Sequence, residues 1–221
     1  MKFKVMPVAR SSWALDSGGF SELSLFGEWT IGPDQYLSEI ERYSTEVGML
    51  DWAAPQDYMC EPIMLARTGL SIAEHQRRTI ESVLYLRARA RIQVIPVLQG
   101  WRISDYVNHI IQYQQAGIDL TQETTIGLGS VCRRQGTTEV TEIVTELSSY
   151  GLALHGFGFK TQGLLKVASL LQSSDSMAWS YAARRDAPLD GCGGNHMNCA
   201  NCSKYALLWR SQLLRSIGQV I

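Results

Sequence analysis

A chain of 221 residues that is 45% hydrophobic and 19% charged has material for one sizeable core, and no low-complexity tract points to disorder. Its formal charge of −1 excludes a global pull toward polyanions, so any nucleic-acid contact must come from a local basic patch. No run approaches the roughly 20 apolar residues a membrane span needs, MKFKVMPVARSS lacks the apolar core of a signal peptide, and a cytoplasmic protein is expected.

In chain order, the apolar runs Phe3–Val8 and Trp13–Leu15 predict two strands, the second breaking at Asp16-Ser17-Gly18-Gly19. Pro33–Val47 spaces Tyr36, Leu37, Ile40, Tyr43 and Val47 along one helical face and stops at Gly48. Gly48–Ala53 predicts a third strand, with Asp51 and Asp57 around its end. Ser71–Arg91 predicts a helix opened by a capping box, Ser71 with Glu74. The strand Gln93–Leu98 runs into Gln99-Gly100, and the helix Tyr106–Ala116 follows. Thr124–Leu128 leads to Gly127-Leu128-Gly129-Ser130, then to the helix Glu139–Tyr150. Leu152–Phe157 carries His155-Gly156-Phe157-Gly158, and the helix Gln162–Leu171 comes after it. Met177–Trp179, just past Asp175, predicts a seventh strand, and Tyr205–Val220 a final helix.

Strands alternating with helices imply parallel pairing, and nearly continuous apolar strands imply burial on both faces. The absence of G-x-G-x-x-G or a P-loop after the first strand speaks against a nucleotide-binding open sheet. Polar groups and glycines recur where strands end, and in a barrel those ends converge on one face. The expected fold is therefore α/β: a (β/α)8 TIM-like barrel in a single domain, 1–221. Because only seven strands are visible, either an eighth is hidden or the barrel is trimmed or open at its N-terminal edge.

Cys192-x3-His196-x2-Cys199-x2-Cys202 offers three thiolates and an imidazole in one short loop, the closed tetrahedral set of structural zinc. Four protein ligands leave no open position for catalysis. Gly191, Gly193 and Gly194 give this loop flexibility, and 191–221 forms a zinc-binding loop with a closing helix. Cys60 and Cys132 read as strand-end or core residues, and His75 and His109 as surface or packing residues of helices.

The strand ends also carry a family resemblance. Asp16-Ser-Gly-Gly-Phe20, Asp51-x5-Asp57, Val97-Leu-Gln-Gly100, Ile126-Gly-Leu-Gly-Ser-Val131, His155-Gly-Phe-Gly158 and Asp175 before Met-Ala-Trp-Ser resemble, in order, the motifs of the tRNA-guanine transglycosylase superfamily. LDWAAPQDYMCEP, VLQGW, GLGSVCRR, DSMAWSYAARR and CANCSKYAL are most similar to the short phage and actinobacterial DNA 7-deazaguanine transglycosylases, the DpdA-like branch. The tRNA enzymes are longer, and with nothing after the final helix the expectation moves to DNA.

The resemblance implies exchange of guanine in DNA for a 7-deazaguanine such as 7-cyano-7-deazaguanine, with Asp175 as nucleophile and Asp16 as general acid/base. It further implies base binding by Asp57, Gln99, Gly100 and the Gly127-Leu128-Gly129 backbone, with Ser17, Gly18, Phe157 and Gly158 lining the site. Asp51 rivals Asp57 on residue type alone, and Trp52, Phe20 or Phe157 could stack on the base or belong to the core. Arg133, Arg134, Arg184 and Arg185 follow site motifs and suit phosphate contacts. Cys192, His196, Cys199 and Cys202 would hold zinc, although the tRNA enzymes place their histidine well after the last cysteine. The implied partners are DNA and the free deazaguanine, with association into an oligomer compatible and no membrane. Two alternatives stay open: a reduced tRNA-guanine transglycosylase, and a non-catalytic zinc-containing nucleic-acid-binding homologue.

Overall fold

The computed structural model describes residues 5–132, 134, 136–192 and 196–218. Arg133, Gly193 and Gly194, and the first two residues of the Phe3–Val8 run, lie outside the described residues. The chain forms two compact units, Met1–Ser130 with Glu146–Leu154, and Val131–Thr145 with His155–Ile221.

In the first unit the order is β1 (Trp13–Leu15), α1 (Gly19–Phe26), α2 (Pro33–Glu46), β2 (Leu50–Ala53), α3 (Pro62–Thr68), α4 (Ile72–Arg87), β3 (Gln93–Val94), β4 (Val97–Leu98), α5 (Ile103–Gln115) and β5 (Ile126–Leu128). β1, β2 and β3 form a parallel sheet in that order, and β4 pairs in parallel with β5. Pro96 has no N–H to give the ladder, which separates β3 from β4. The ladder nevertheless continues on both sides of it: Ile95 donates to the Ala53 carbonyl at 3.1 Å, and Gly127 donates to the Pro96 carbonyl at 2.9 Å. The Tyr113 hydroxyl, at 3.0 Å from both the N–H and the carbonyl of Val97, completes the pairing there.

The helices form where pattern and caps agree. Pro33 opens α2 with its φ already helical. One turn apart, Tyr36 and Ile40 pack with Leu50, Ala53, Leu86 and Val94, the Ile, Leu and Val side chains each contributing about 1.5–3 kcal/mol on full burial. Ser71 caps α4 by accepting the Glu74 N–H at 3.2 Å, while the Glu74 carboxylate pairs with Arg77 and Arg78, each at 2.7 Å.

The sequence expected a strand at Phe3–Val8. The described part of that run is not a strand, and Val5 and Val8 are 84% and 77% exposed. Two apolar side chains without a sheet face to cover cannot supply the burial on which a strand depends.

Further along come α6 (Thr138–Ser149), β6 (Leu154–Gly156), α7 (Thr161–Val167), β7 (Ser173–Ser174), α8 (Ala178–Ala183) and α9 (Ser203–Ser216). β6 and β7 pair in parallel, His155 opposite Ser173 and Gly156 opposite Ser174. The seventh strand thus lies upstream of the predicted Met177–Trp179, which is occupied instead by the start of α8. Ser176 explains the difference: its Oγ accepts the Ala178 N–H at 3.2 Å and turns the chain toward a helix. Ser174 donates its hydroxyl to the Gly156 carbonyl at 2.8 Å, reinforcing β7 with a side chain no hydropathy pattern would register. The architecture is α/β with parallel sheets, and no described helix is long and apolar enough to cross a membrane.

Candidate functional site

The turn after β1 brings a serine to a buried carboxylate. Gly18 takes φ 74, a left-handed conformation open to glycine without strain, and serves as N-cap of α1. A Cβ on Gly19 would lie 2.7 Å from the Met59 methyl and 3.1 Å from Asp57 Oδ1, so only glycine lets this turn approach the 57–59 segment. Ser17 accepts the Gly19 N–H at 3.0 Å and donates its hydroxyl to Asp57 Oδ1 at 2.7 Å. On the other carboxylate oxygen, Gln99 Nε2 donates to Asp57 Oδ2 at 2.5 Å. The Ser130 hydroxyl accepts the Cys60 N–H at 2.7 Å and donates to Gln99 Oε1 at 2.5 Å. Asp57 is 6% exposed and Gln99 fully buried, whereas Asp51 points to solvent from β2. Of the two rival aspartates, the fold joins Asp57 to Gln99. Trp52 lies in the core, and Phe20 packs half-buried against Leu23, Met59 and Met64.

Burial, and then the charge of Asp16, push the Asp57 carboxyl up to about 7, while Ser17 and Gln99 hold it down. The folded protein therefore keeps this proton more tightly than the unfolded chain, and Asp57 costs stability progressively as pH rises from about 4 to about 7. Asp57→Asn should remove that slope from the pH dependence of unfolding. A ligand that needs the carboxylate should show the opposite trend, with affinity falling about tenfold per pH unit below 7 and levelling above it. Calorimetric titration across pH 5–9 checks the second expectation; a flat profile would contradict it.

The backbone of Gln99 is clamped as well. Its N–H donates to His109 Nδ1 at 2.9 Å, and its carbonyl accepts from Gln76 Nε2 at 2.7 Å. Burial lowers His109 to about 3, so the ring is neutral and its Nδ1 can accept. Gln112 in turn donates to Gln76 Oε1 at 2.7 Å. Between the surface and packing readings of His109 the fold selects packing, while Gln76 escaped the sequence reading, because a buried polar residue on a helix has the same sequence signature as a solvated one. His75 is buried too, its ring nitrogens 2.7 Å from the Met59 carbonyl and 2.7 Å from Thr68 Oγ1.

The strand-end glycines act through space rather than through their N–H groups. Gly127 and Gly129 donate to the carbonyls of Pro96 and Leu98 in the ladder, and Leu128 is fully buried. A Cβ on Gly129 would fall 2.3–2.6 Å from the Gln99 amide, and one on Gly100 2.9 Å from Tyr106. Gly129→Ala should therefore displace the Gln99 amide from Asp57 and cost about 1–3 kcal/mol of stability, readable by denaturant unfolding.

Asp16 itself is exposed, with the Ser17 N–H on its Oδ1 at 2.8 Å. In the second unit, Asp175 follows β7 and is 54% exposed. Its Oδ1 accepts the Gly158 N–H at 2.7 Å and lies 3.5 Å from His155 Nε2. His155 Nδ1 is 2.8 Å from Ser173 Oγ, and the half-buried Phe157 ring meets the imidazole edge-on with centroids 5.0 Å apart. Gly158 takes φ 62. Arg184 and Arg185 are exposed, the latter with its guanidinium carbon 3.8 Å from the centre of the Tyr181 ring. Arg134 is 9% exposed, 3.1 Å from the Glu139 carboxylate.

The four residues singled out for metal do come together, their ligand atoms all within 4.8 Å of one another. Zn–S bonds of about 2.3 Å in a tetrahedron imply edges of about 3.8 Å. Cys192 Sγ and Cys202 Sγ are 4.0 Å apart, and His196 Nε2 and Cys199 Sγ 3.2 Å. Cys202 stands at the N-terminus of α9, where the backbone N–H groups of Tyr205 and Lys204 lower its pKa and favour thiolate; burial raises that of Cys192. A soft donor set at this spacing fits a tetrahedral metal such as zinc.

None of the curated proteins matches the chain. A family model does, over residues 2–221, that of DpdA, DeoxyPurine in DNA protein A. The match spans both the Asp57–Gln99 network and the Cys3His cluster, and the chain belongs to the DpdA family, which implies a role in DNA 7-deazaguanine modification.

Proposed function

We propose that the protein is a DNA guanine transglycosylase, a retaining pentosyltransferase that exchanges guanine in DNA for a 7-deazaguanine such as 7-cyano-7-deazaguanine. The observation that carries this is the Asp57–Gln99 pair: residues 42 apart in sequence meet at 2.5 Å, in a chain whose family concerns deoxypurines in DNA. A carboxylate beside an amide matches the guanine edge, Asp57 accepting from N1–H and the exocyclic amine and Gln99 donating to O6.

In the reaction, the Asp175 carboxylate attacks C1′ of the deoxyribose while the C1′–N9 bond breaks. The departing guanine takes the bonding pair and a proton from the Asp16 carboxyl group. The incoming deazaguanine returns a proton from its N9–H to Asp16, attacks C1′ and releases Asp175. Two inversions retain configuration, as in retaining glycosidases. Gly158 holds Asp175 Oδ1 by its N–H, which orients the carboxylate for attack. Reaching a stacked base requires flipping it out at a cost of a few kcal/mol. The exposed Arg184 and Arg185 suit the phosphate contacts that would help offset this. Cys192, His196, Cys199 and Cys202 would hold structural zinc, which ties the loop to α9 and takes no part in the bond changes. Both units are read as parts of one (β/α)8-type transglycosylase domain, by resemblance.

Trapping tests the covalent step. With duplex DNA and no incoming base, denaturation after brief incubation should leave a fraction of the protein linked to DNA lacking one guanine. The 7-deazaguanine should discharge that species. Its formation with tRNA and not with DNA would move the protein to the RNA enzymes.

A further inference from the structure

We infer that Ser130 sets the hydrogen-bond polarity of the base pocket and so selects 6-oxo over 6-amino purines. The inference rests on reading Asp57 and Gln99 as the groups that recognise the base.

A glutamine side chain presents an oxygen and an NH2 group of nearly equal size, and only its neighbours decide which faces where. Here the decision traces back to backbone amides. The Cys60 N–H, 2.7 Å from Ser130 Oγ, can only donate, so the serine accepts there. It donates its one hydrogen to Gln99 Oε1 at 2.5 Å, which turns the amide NH2 toward Asp57 Oδ2 at 2.5 Å. The other oxygen of Asp57 is treated in the same way, from the Gly19 N–H through Ser17 Oγ to Oδ1. Both relays deliver hydrogens to the carboxylate. Its remaining lone pairs are left for a ligand's donors, and the second hydrogen of the Gln99 amide for a ligand's acceptor. That pattern complements O6, N1–H and the 2-amino group together. A 6-amino group would set one NH2 against another and leave both unpaired.

The backbone at Ser130 gives independent support. It has φ 58, and Met49 is the other non-glycine residue with positive φ among the described residues. Glycine adopts this conformation without strain, whereas a fully buried serine holds it at a cost. What serine adds over glycine at this position is the hydroxyl.

The test uses the full-length, zinc-loaded protein and compares binding of guanine and 2,6-diaminopurine by calorimetry, with thermal melting as a fold control. Wild type should prefer guanine by about 100-fold or more. Ser130→Gly relaxes the backbone, should remain folded, and should narrow that preference about tenfold or more. Ser130→Ala keeps the strained backbone, lacks the same hydroxyl and should narrow it equally. Wild-type preference retained in both variants would overturn the role of Ser130 while leaving the base pocket standing. A loss confined to Ser130→Ala would assign the effect to backbone strain and overturn it as well. Wild-type protein that binds neither purine would remove the base-pocket reading and the inference with it.

Discussion

Asp175→Ala is expected to lower base exchange by about 10⁴-fold or more while leaving the protein folded, because the side chain removed is the proposed nucleophile. Without a carboxylate to hold C1′, the departing base has no covalent partner to replace it, and binding alone gives little rate. The stability cost should be small, within about 1 kcal/mol, since the residue is 54% exposed and its Oδ1 accepts one backbone N–H, from Gly158. Asp175→Asn sharpens the test. It preserves an acceptor for the Gly158 N–H and the shape of the residue, so loss of exchange there separates nucleophilicity from positioning. Initial rates of labelled guanine release, beside melting curves for the same samples, provide the measurement. A variant keeping a tenth or more of wild-type exchange would remove Asp175 from the chemistry.

Loss of the metal cluster should have the largest structural effect. Cys199 is fully buried and packs with Ala183 and Cys192, with Leu189, Cys202 and Tyr205 against them. These contacts are few for a segment that must hold the start of α9, so metal binding should supply much of its order. Structural zinc contributes about 10 kcal/mol or more in small zinc-dependent modules at neutral pH. Cys199→Ser is therefore expected to lose nearly all bound metal and to melt at least about 10 °C lower. Excess chelator should bring wild type toward the same state, and acid should do so as thiolates and imidazole protonate. Metal content by mass spectrometry and thermal melting check this together; unchanged melting after complete metal removal would contradict it.

How far the sequence revealed the fold depended on whether side-chain pattern or tertiary contact determined each element. The bounds of β1 were legible because Trp13-Ala14-Leu15 ends abruptly at Asp16-Ser-Gly-Gly. α2 was legible from Pro33 and the spacing of Tyr36 and Ile40. α1 was hidden: it is eight residues long and begins at a glycine with no side-chain cap. β7 was hidden because two serines carry no apolar signal, and its strand character comes from pairing with β6. The metal cluster was legible because a short loop leaves four ligands few places to go.

The site divides in the same way. Asp57 and Gln99 were named from motif order, and their meeting at 2.5 Å is what a folded chain adds. The residues that clamp Gln99 are Gln76 on α4 and His109 on α5; the sequence left His109 between surface and packing, and the folded contacts turn both inward. Arg134 illustrates the converse. Its place after a site motif suited it to phosphate contact, yet this side chain is 9% exposed and lies 3.1 Å from Glu139.

Incubation of the purified, zinc-loaded protein with duplex DNA carrying radiolabelled guanine, plus unlabelled 7-cyano-7-deazaguanine, tests base exchange in DNA most directly. Base exchange in DNA should release labelled guanine and leave the deazaguanine in the recovered DNA in equal amount. Guanine retained in DNA under these conditions, with exchange detected on tRNA instead or on neither nucleic acid, would contradict it.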